Sequence, residues 1–172
     1  MGLLTTVSLG VAQLFALSTK ANYIARGQTS TTAMAEQKLE QLRALTWGFD
    51  VNGEGLPVSD TSTNLAVEPL SATGAGLNPS PTTSLDENIA GYVDYLDANG
   101  VHVGTGTTAP DGAVYIRRWS IQPLPTNPNN TIVLQVLVTP ISNDANRSGV
   151  PGPRQRMAGD AVLVSVKTRK AQ

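Results

Sequence analysis

Residues that perform nucleophilic or acid–base catalysis are scarce in this sequence of 172 residues. It has one histidine, His102, no cysteine, and no Gly-x-Ser-x-Gly segment that would position a serine nucleophile. The lack of cysteine excludes disulfides, thiolate chemistry and cysteine-ligated zinc. His102 follows Asn99-Gly100, and we expect it to be an exposed strand residue beside a hairpin turn. The composition therefore predicts a protein that is not an enzyme and that binds no cofactor.

The residues around that turn resemble part of a calcium-binding loop, namely Asp97-Ala98-Asn99-Gly100. An EF-hand loop is excluded, because Tyr95 would occupy its first ligand position and Gly106 its twelfth. A looser calcium site built from Asp94 and Asp97 is the remaining metal hypothesis. Against that hypothesis, our expectation for the whole chain is that it holds no metal.

Acidic and basic residues are segregated along the chain. Residues 50–111 contain nine acidic residues and no Lys or Arg, which gives a formal charge of −9. Residues 112–172 contain eight basic and two acidic residues, which gives +6. Oppositely charged segments attract, so we expect the acidic middle and the basic end to face each other, within a subunit or between subunits. The alternative is that both are solvated surfaces without a partner.

The basic end of the chain comprises Arg147, Arg154, Arg156, Lys167, Arg169 and Lys170. Such a cluster would suit the phosphate groups of a nucleic acid. It lacks the interleaved aromatic side chains that stack on bases, so DNA binding is disfavoured. Pairing with the acidic middle of a neighbouring subunit is the interpretation that we adopt.

Residues 2–46 predict one long helix, because no proline interrupts them and apolar or small residues recur every three or four positions. The stripe comprises Leu14, Leu17, Ala21, Ile24, Ala35, Leu39, Leu42 and Leu45, and it is interrupted by the polar residues Gln28 and Thr31. Gly48 is the expected C-cap. At 1.5 Å per residue, about 45 residues span roughly 68 Å. This is longer than the globular remainder can cover, so one end of the helix should project.

The first part of this helix, residues 2–17, is apolar and carries no charge. It is shorter than the ~20 residues that cross a bilayer, and it contains polar residues such as Thr5 and Gln13. A signal peptide is disfavoured, because a basic n-region and a clear cleavage site are missing. A buried core helix is one alternative. We adopt the hypothesis that the segment continues an apolar helix that begins upstream of Met1.

Residues after 90 predict a β-rich region. Strands are predicted near residues 91–96, 113–121, 131–139 and 161–169, separated by turn residues. Asn99-Gly100 predicts a hairpin, because both residues take positive φ at low cost. The most hydrophobic strand, 131–139, is expected to be central.

The remaining segment, residues 50–90, is expected to be irregular because prolines and glycines interrupt it. Within it, residues 64–67 are a candidate edge strand and residues 71–84 a flexible surface loop. The predicted fold class is α+β, with a long N-terminal helix packed on a four-stranded antiparallel sheet. We divide the chain into a helix, 1–48, of which 1–19 project, and a head, 49–172.

Three stretches of the chain resemble type IV pilins, and more narrowly minor pilins and the minor pseudopilins of type II secretion. Residues 33–43 resemble the end of the pilin helix in that subgroup. Residues 115–121, with the Pro/Asn turn and residues 132–138, resemble the central hairpin, and residues 164–169 resemble the final strand. The order and spacing of these stretches carry the resemblance, which covers most of the chain outside residues 50–90.

The resemblance implies a protein of the bacterial cell surface that assembles in ordered steps. In the family, an inner-membrane peptidase removes a leader, the new N-terminus is methylated, and apolar helices bundle with those of other pilin-like subunits into an extracellular filament. The family's glutamate at the fifth mature position has no counterpart here, because Thr5 stands there if Met1 is residue one. We therefore expect the native precursor to begin upstream of Met1 and to supply a leader.

The same resemblance assigns the assembly surface to the start of the helix. Its candidate residues are Leu3, Leu4, Val7, Val11, Leu14, Phe15 and Leu17. The function expected from this assignment is that of a filament subunit. The alternative is a free-standing adhesin or binding module, in which the helix packs within its own domain. Residues 1–172 should need detergent or polymerise under the first hypothesis, whereas residues 20–172 should not.

Overall fold

A computed structural model describes residues 2–50, 54–147 and 155–169, with side chains from residue 11 onward except that of Arg147. The chain begins with the long helix α1 (Gly2–Ala44), followed by β1 (Trp47–Phe49), β2 (Pro57–Ser59), β3 (Val93–Leu96) and β4 (His102–Thr105). Then come β5 (Tyr115–Pro123), β6 (Thr131–Pro140), the short helix α2 (Ile141–Arg147) and β7 (Ala161–Thr168). The predicted α+β class is confirmed, because the long helix packs on an antiparallel sheet.

The main sheet of the described residues has five antiparallel strands in the order β4-β3-β5-β6-β7, one more than predicted. All four predicted strands are present, and β4 is the additional one. The most hydrophobic strand, β6, is central as expected, since it lies between β5 and β7, and the middle of the five strands is β5. The described residues also form a separate two-stranded sheet, β1-β2, which the sequence did not predict.

The hairpin predicted at Asn99-Gly100 is present, but its turn differs from the expected one. The connection between β3 and β4 is longer than two residues, and in this described loop Gly100 has a φ of +80° whereas Asn99 does not have a positive φ. The carboxylate of Asp97 accepts hydrogen bonds from the backbone nitrogens of Asn99 and Val101, at 2.8 and 2.9 Å. A side chain therefore takes part of the role that a two-residue turn would have.

The helix α1 ends at Ala44, and the predicted C-cap at Gly48 is wrong. Gly48 lies in β1, where it pairs with Val58 of β2. Lys167 acts as the cap instead, because its Nζ donates to the carbonyl oxygens of Arg43 and Leu45. An ammonium group there satisfies carbonyls that have no partner within the helix and complements the negative end of the helix dipole.

The core lies between α1 and the inward face of the sheet. From α1 come Met34, Ala35, Leu39 and Leu42, and from the sheet come Trp119, Ile121, Ile132, Leu134, Val136 and Val138. A smaller cluster on the outward face contains Val93, Tyr95 and Ile116. Because β5 contributes side chains to both clusters, both of its faces are covered. It thereby links the core under α1 to the cluster on the outward face of the sheet.

Residues 60–92, between β2 and β3, are packed more closely than a surface loop. Within the predicted flexible loop 71–84, Leu77, Ser80 and Ser84 are buried, so that prediction is wrong for these residues. The backbone nitrogen of Ser80 donates to the carbonyl of Ile121 at 2.9 Å, which ties the loop to β5. Of the described residues 64–67, Asn64 alone forms a strand-like pair, an isolated bridge with Ser71.

Candidate functional site

The upper part of α1, residues 11–23, presents large apolar side chains to solvent. The exposed fraction is 67% for Leu14, 70% for Phe15 and 65% for Leu17, and Val11 is also exposed. These are four of the seven predicted assembly residues. The side chains of the other three, Leu3, Leu4 and Val7, lie outside the described part of the chain. Among the described residues, no helix combines the length and the apolar character needed to cross a membrane.

Burial of α1 begins at Thr31 and continues through Leu42. The change from exposed to buried side chains along α1 follows from the different lengths of the helix and the sheet. The ten residues of β6 extend about 33 Å at 3.3 Å each, whereas the 43 residues of α1 extend about 65 Å. The sheet can therefore cover about half of the helix. The apolar stripe of the sequence runs along the whole helix. Only the lower half of α1, from Ile24 to Ala44, meets the sheet.

A buried ion cluster joins the lower half of α1 to the sheet. Asp94 of β3 lies directly opposite Arg117 of β5 in the antiparallel register. Its carboxylate accepts two hydrogen bonds from the guanidinium of Arg117, at 2.9 and 2.8 Å. Lys38 of α1 approaches the same carboxylate, with its Nζ 2.9 Å from Oδ2. All three side chains are about 1% exposed, so one buried carboxylate on β3 binds two cations, one from α1 and one from β5.

Both cations of the cluster also bind groups on neighbouring segments. Nη1 of Arg117 donates to the carbonyl of Met34 and to Oε1 of Gln37, each at 3.1 Å, and so reaches the helix directly. Nζ of Lys38 donates to the carbonyl of Leu65 at 2.6 Å and lies 4.6 Å from the centre of the Trp119 ring. These contacts restrict sliding and rotation of α1 on the sheet. Through the carbonyl of Leu65 they also bind the loop that follows β2 to the helix.

The cluster holds two cations and one carboxylate, which leaves a formal charge of +1 in a buried place. Burial is the largest influence on the pKa of Lys38 and lowers it; the nearby charge of Asp94 raises it, that of Arg117 lowers it, and the net result is a pKa of about 8. Charged groups removed from water are costly unless they are paired and hydrogen-bonded. Since the three side chains are closed to solvent, we assign the cluster an anchoring role.

The ion cluster was not predicted from the sequence, where Asp94 was considered only as a calcium ligand and Lys38 and Arg117 were given no role in a site, although each of the three carries a recognisable signal. Lys38 lies on the apolar stripe of α1, next to Leu39. Asp94 and Arg117 occupy positions in apolar strands whose neighbours two residues away, Leu96 and Trp119, face the core. A charged residue on a buried face requires a partner of opposite charge. Three such residues in separate elements therefore predict a cluster, but the pairing itself depends on the register.

The calcium hypothesis for Asp94 and Asp97 is not supported by the positions of the two carboxylates. Asp94 is engaged by Lys38 and Arg117, and Asp97 accepts the backbone hydrogen bonds of the β3–β4 loop. His102, expected to be exposed, is half-buried in β4, and its Nε2 lies 2.9 Å from the carbonyl oxygen of Ala66. It therefore holds the loop after β2 against the sheet.

Two members of the predicted basic end serve the fold of their own chain. Lys167 caps α1, as described above. The guanidinium of Arg169 stacks 3.7 Å from the centre of the Trp47 ring and donates to the carbonyls of Asn129, at 2.8 Å, and Gly48, at 3.0 Å. The predicted attraction between the acidic residues 50–111 and the basic residues 112–172 is seen within the chain at one pair, Asp94 and Arg117.

Comparison with known proteins gives no match to any family model, curated protein or solved structure. Among the described residues, no three acidic or histidine side chains are grouped so that they could hold a metal ion. The geometry described above is an exposed apolar helix segment, continuous with a lower half that a buried ion cluster anchors to the head.

Proposed function

We propose that this protein is a structural subunit of an extracellular type IV pilus-like filament on the bacterial cell surface. It would assemble through α1 with other pilin-like subunits and would be held at the inner membrane before assembly. The observation that carries the proposal is the exposure of Val11, Leu14, Phe15 and Leu17 on one helix segment. Its order of elements resembles that of minor pilins and minor pseudopilins, which supports the proposal.

The free energy gained by burying these apolar side chains favours a binding partner for this segment. Burying a large apolar side chain contributes about 1.5–3 kcal/mol, so covering these four would contribute on the order of 5–10 kcal/mol to assembly. An isolated helix of this length is only marginally stable in water, because most helical stability in proteins comes from packing. A bundle of the same segments from several subunits would supply both the apolar cover and the packing.

The fold is compatible with this role, since a long N-terminal helix on an antiparallel sheet is the arrangement that pilin-like subunits have. The rival hypothesis, a free-standing adhesin, would place the whole helix against its own domain. The exposure of Leu14 and Phe15, above 60% each, supports the filament subunit instead. The anchoring of the lower half of α1 by Asp94 adds support, because it would carry the load of the assembled helices to the head.

The test uses the full chain, purified in detergent and then freed of it. We expect the wild-type chain to form filaments that sediment and are visible by electron microscopy. The double variant Leu14→Glu/Leu17→Glu should remain monomeric, because carboxylates in an apolar bundle each cost a few kcal/mol and raise the critical concentration about 100-fold or more.

The matched control is Val58→Glu, which places the same charge at an exposed apolar position in the head. This variant should assemble like the wild type. The proposal is overturned if the wild-type chain stays monomeric after detergent removal, or if the double variant forms filaments as readily as the control does.

A further inference from the structure

The connection between β5 and β6 ends in the triplet Asn129-Asn130-Thr131, whose last residue opens β6. An asparagine followed two residues later by Ser or Thr, with any residue except proline between them, is the acceptor pattern for N-linked sugars. The pattern is short and recurs by chance, so its structural context decides its meaning. The context that supports it is an exposed surface loop of a secreted protein.

Two other asparagines of the sequence have a serine two residues later. The triplet Asn78-Pro79-Ser80 is excluded by its proline, and its serine is buried. The triplet Asn146-Arg147-Ser148 has its last residue outside the described part of the chain. Asn129 is therefore the acceptor candidate whose whole triplet the structure describes.

The side chain of Asn129 differs from those of the other two asparagines in its turn. Nδ2 of Asn127 donates to Oγ1 of Thr131, and Oδ1 of Asn127 accepts from Nδ2 of Asn130, each at 3.3 Å. The side chain of Asn129 is exposed and forms no hydrogen bond with any described residue. Its amide can therefore carry a bulky polar group without displacing a contact of the protein.

The backbone of the triplet, in contrast, is held by the end of the chain that follows β7. The carbonyl of Asn129 accepts from Nε of Arg169 at 2.8 Å. The carbonyl of Asn130 accepts from the backbone nitrogen of Arg169 at 2.8 Å and from Nε1 of Trp47 at 3.3 Å. The turn is thus fixed while the Asn129 amide stays in solvent, so a group attached there leaves the surface at a defined place.

We propose that Asn129 is a site of N-linked glycosylation and that the donor is a sugar activated as a diphosphate ester. In the transfer, Nδ2 of Asn129 forms a bond to C1 of the sugar while the C1–O bond to the diphosphate breaks. The diphosphate leaves with the electron pair of that bond. The amide loses one proton to a base of the transferring enzyme, so no oxidant or reductant is needed.

The contacts of the triplet indicate when the sugar is added. The acceptor pattern requires Thr131, which is 4% exposed in the folded head and pairs with Thr168 of β7. Arg169, which covers the backbone of the turn, lies 40 residues after Asn129. The triplet is therefore open until β7 adds to β6, and we place the transfer before that step. The fold then closes over Thr131 and leaves the modified side chain outside.

The position of Asn129 is compatible with the proposed function, on which the inference rests for its cell-surface setting. The turn lies at the end of the head where α1 ends, because Lys167, which caps the helix, pairs with Ile132 next to the turn. The exposed apolar segment of α1 lies at the other end of the helix. A sugar on Asn129 would therefore stay outside the helix bundle.

The test is site-localised mass spectrometry of the full chain isolated from the cells that naturally produce it. We expect a sugar on Nδ2 of Asn129 in the wild-type protein and its complete loss in Asn129→Gln. The matched control, Asn130→Gln in the same turn, should keep the sugar because the acceptor pattern is unchanged. Thr131→Val should lose the sugar and Thr131→Ser should keep it, because the hydroxyl two residues after the asparagine is required.

An unmodified Asn129 in the wild-type protein overturns the inference. So does a sugar that persists on Asn129 in the Thr131→Val variant, because the attachment would then not depend on the acceptor pattern. Blocking the synthesis of lipid-linked sugars in the same cells identifies the donor. Loss of the sugar supports a lipid-linked diphosphate and persistence supports a nucleotide sugar, and either result requires the site at Asn129.

Electron microscopy of the same preparations separates this inference from the proposed function. Asn129→Gln should form filaments as the wild type does, because the turn lies away from the assembly segment. Filaments from a wild-type chain without a sugar on Asn129 would overturn the glycosylation site and leave the helix bundle intact. A sugar on Asn129 in a protein that forms no filaments would support the site while overturning the proposed function.

Discussion

The two halves of α1 place charged and apolar side chains in opposite ways. In the lower half Lys38 is 1% exposed and bound to Asp94, whereas in the upper half Phe15 is 70% exposed. Burying a charge is costly unless it is paired, and exposing apolar surface is costly unless a partner covers it. The lower half of α1 finds its partners within the chain and attaches the helix to the head. The upper half leaves its apolar side chains exposed, and under the proposed function it is the part that other subunits would cover.

The largest expected effect comes from breaking the buried cluster at its centre. Asp94→Asn leaves Lys38 and Arg117 close together without a counter-charge, and removal of one partner from a buried pair costs about 3–5 kcal/mol. Urea denaturation of the full chain in the Leu14→Glu/Leu17→Glu background measures this loss on monomers. Asp111→Asn, at an exposed acid, should change the free energy of unfolding by less than about 0.5 kcal/mol. A loss below about 1 kcal/mol for Asp94→Asn would contradict the anchoring role.

A second effect appears at alkaline pH. The pKa of Lys38 is about 8 in the folded protein and 10.5 in the unfolded chain, so between these values the unfolded state binds more protons. Stability should therefore rise with pH through this window, by up to about 3 kcal/mol relative to neutral pH. The Lys38→Met variant should lack this rise, because it removes the titrating group. Parallel pH profiles for the two proteins would show that the buried amine is not the cause.

Raising the salt concentration should weaken interactions between exposed charges and leave the buried Asp94 cluster nearly unchanged. Screening lengths shorten from about 10 Å at 0.1 M salt to 3 Å at 1 M, so contacts between the acidic residues 50–111 of one copy and the basic residues 112–172 of the next should weaken. We expect weaker filament assembly at 1 M salt. The difference in unfolding free energy between the wild-type residue and Asn at position 94 should stay nearly constant, because that cluster is shielded from ions. Filament assembly that is insensitive to salt would refute only the predicted charge attraction between subunits, because the helix bundle does not depend on it.

The smallest effect on stability is expected in the upper half of α1. In the same Leu14→Glu/Leu17→Glu background, Phe15→Ala should change the free energy of unfolding by less than about 0.5 kcal/mol, because its side chain contributes little to the core. Leu42→Ala, at a fully buried position on the same helix, should cost about 2–5 kcal/mol. A large loss for Phe15→Ala would mean that the upper half packs on its own head, as the rival hypothesis requires.

Local patterns allowed much of the fold to be predicted. The helix stripe from Leu14 to Leu45 predicted α1 to within two residues of its end, and alternation with turn residues predicted β3, β5, β6 and β7. The end of α1 was missed because Lys167, which caps it, lies 122 residues beyond Leu45. The buried part of loop 71–84 was missed because Ser80 bonds to β5 in place of a sheet partner.

The sequence by itself determined which segments are helical or extended, that the first third of α1 is apolar, and that opposite charges occupy different stretches of the chain. These properties depend on periods of 3.6 and 2 residues and on composition, which neighbouring residues establish. The tertiary structure alone decided that Asp94 would meet both Arg117 and Lys38, and that β4 and β7 would become opposite edges. Such pairings depend on strand register and on packing between distant segments, where burial of the shared core selects one arrangement from many that the local pattern allows.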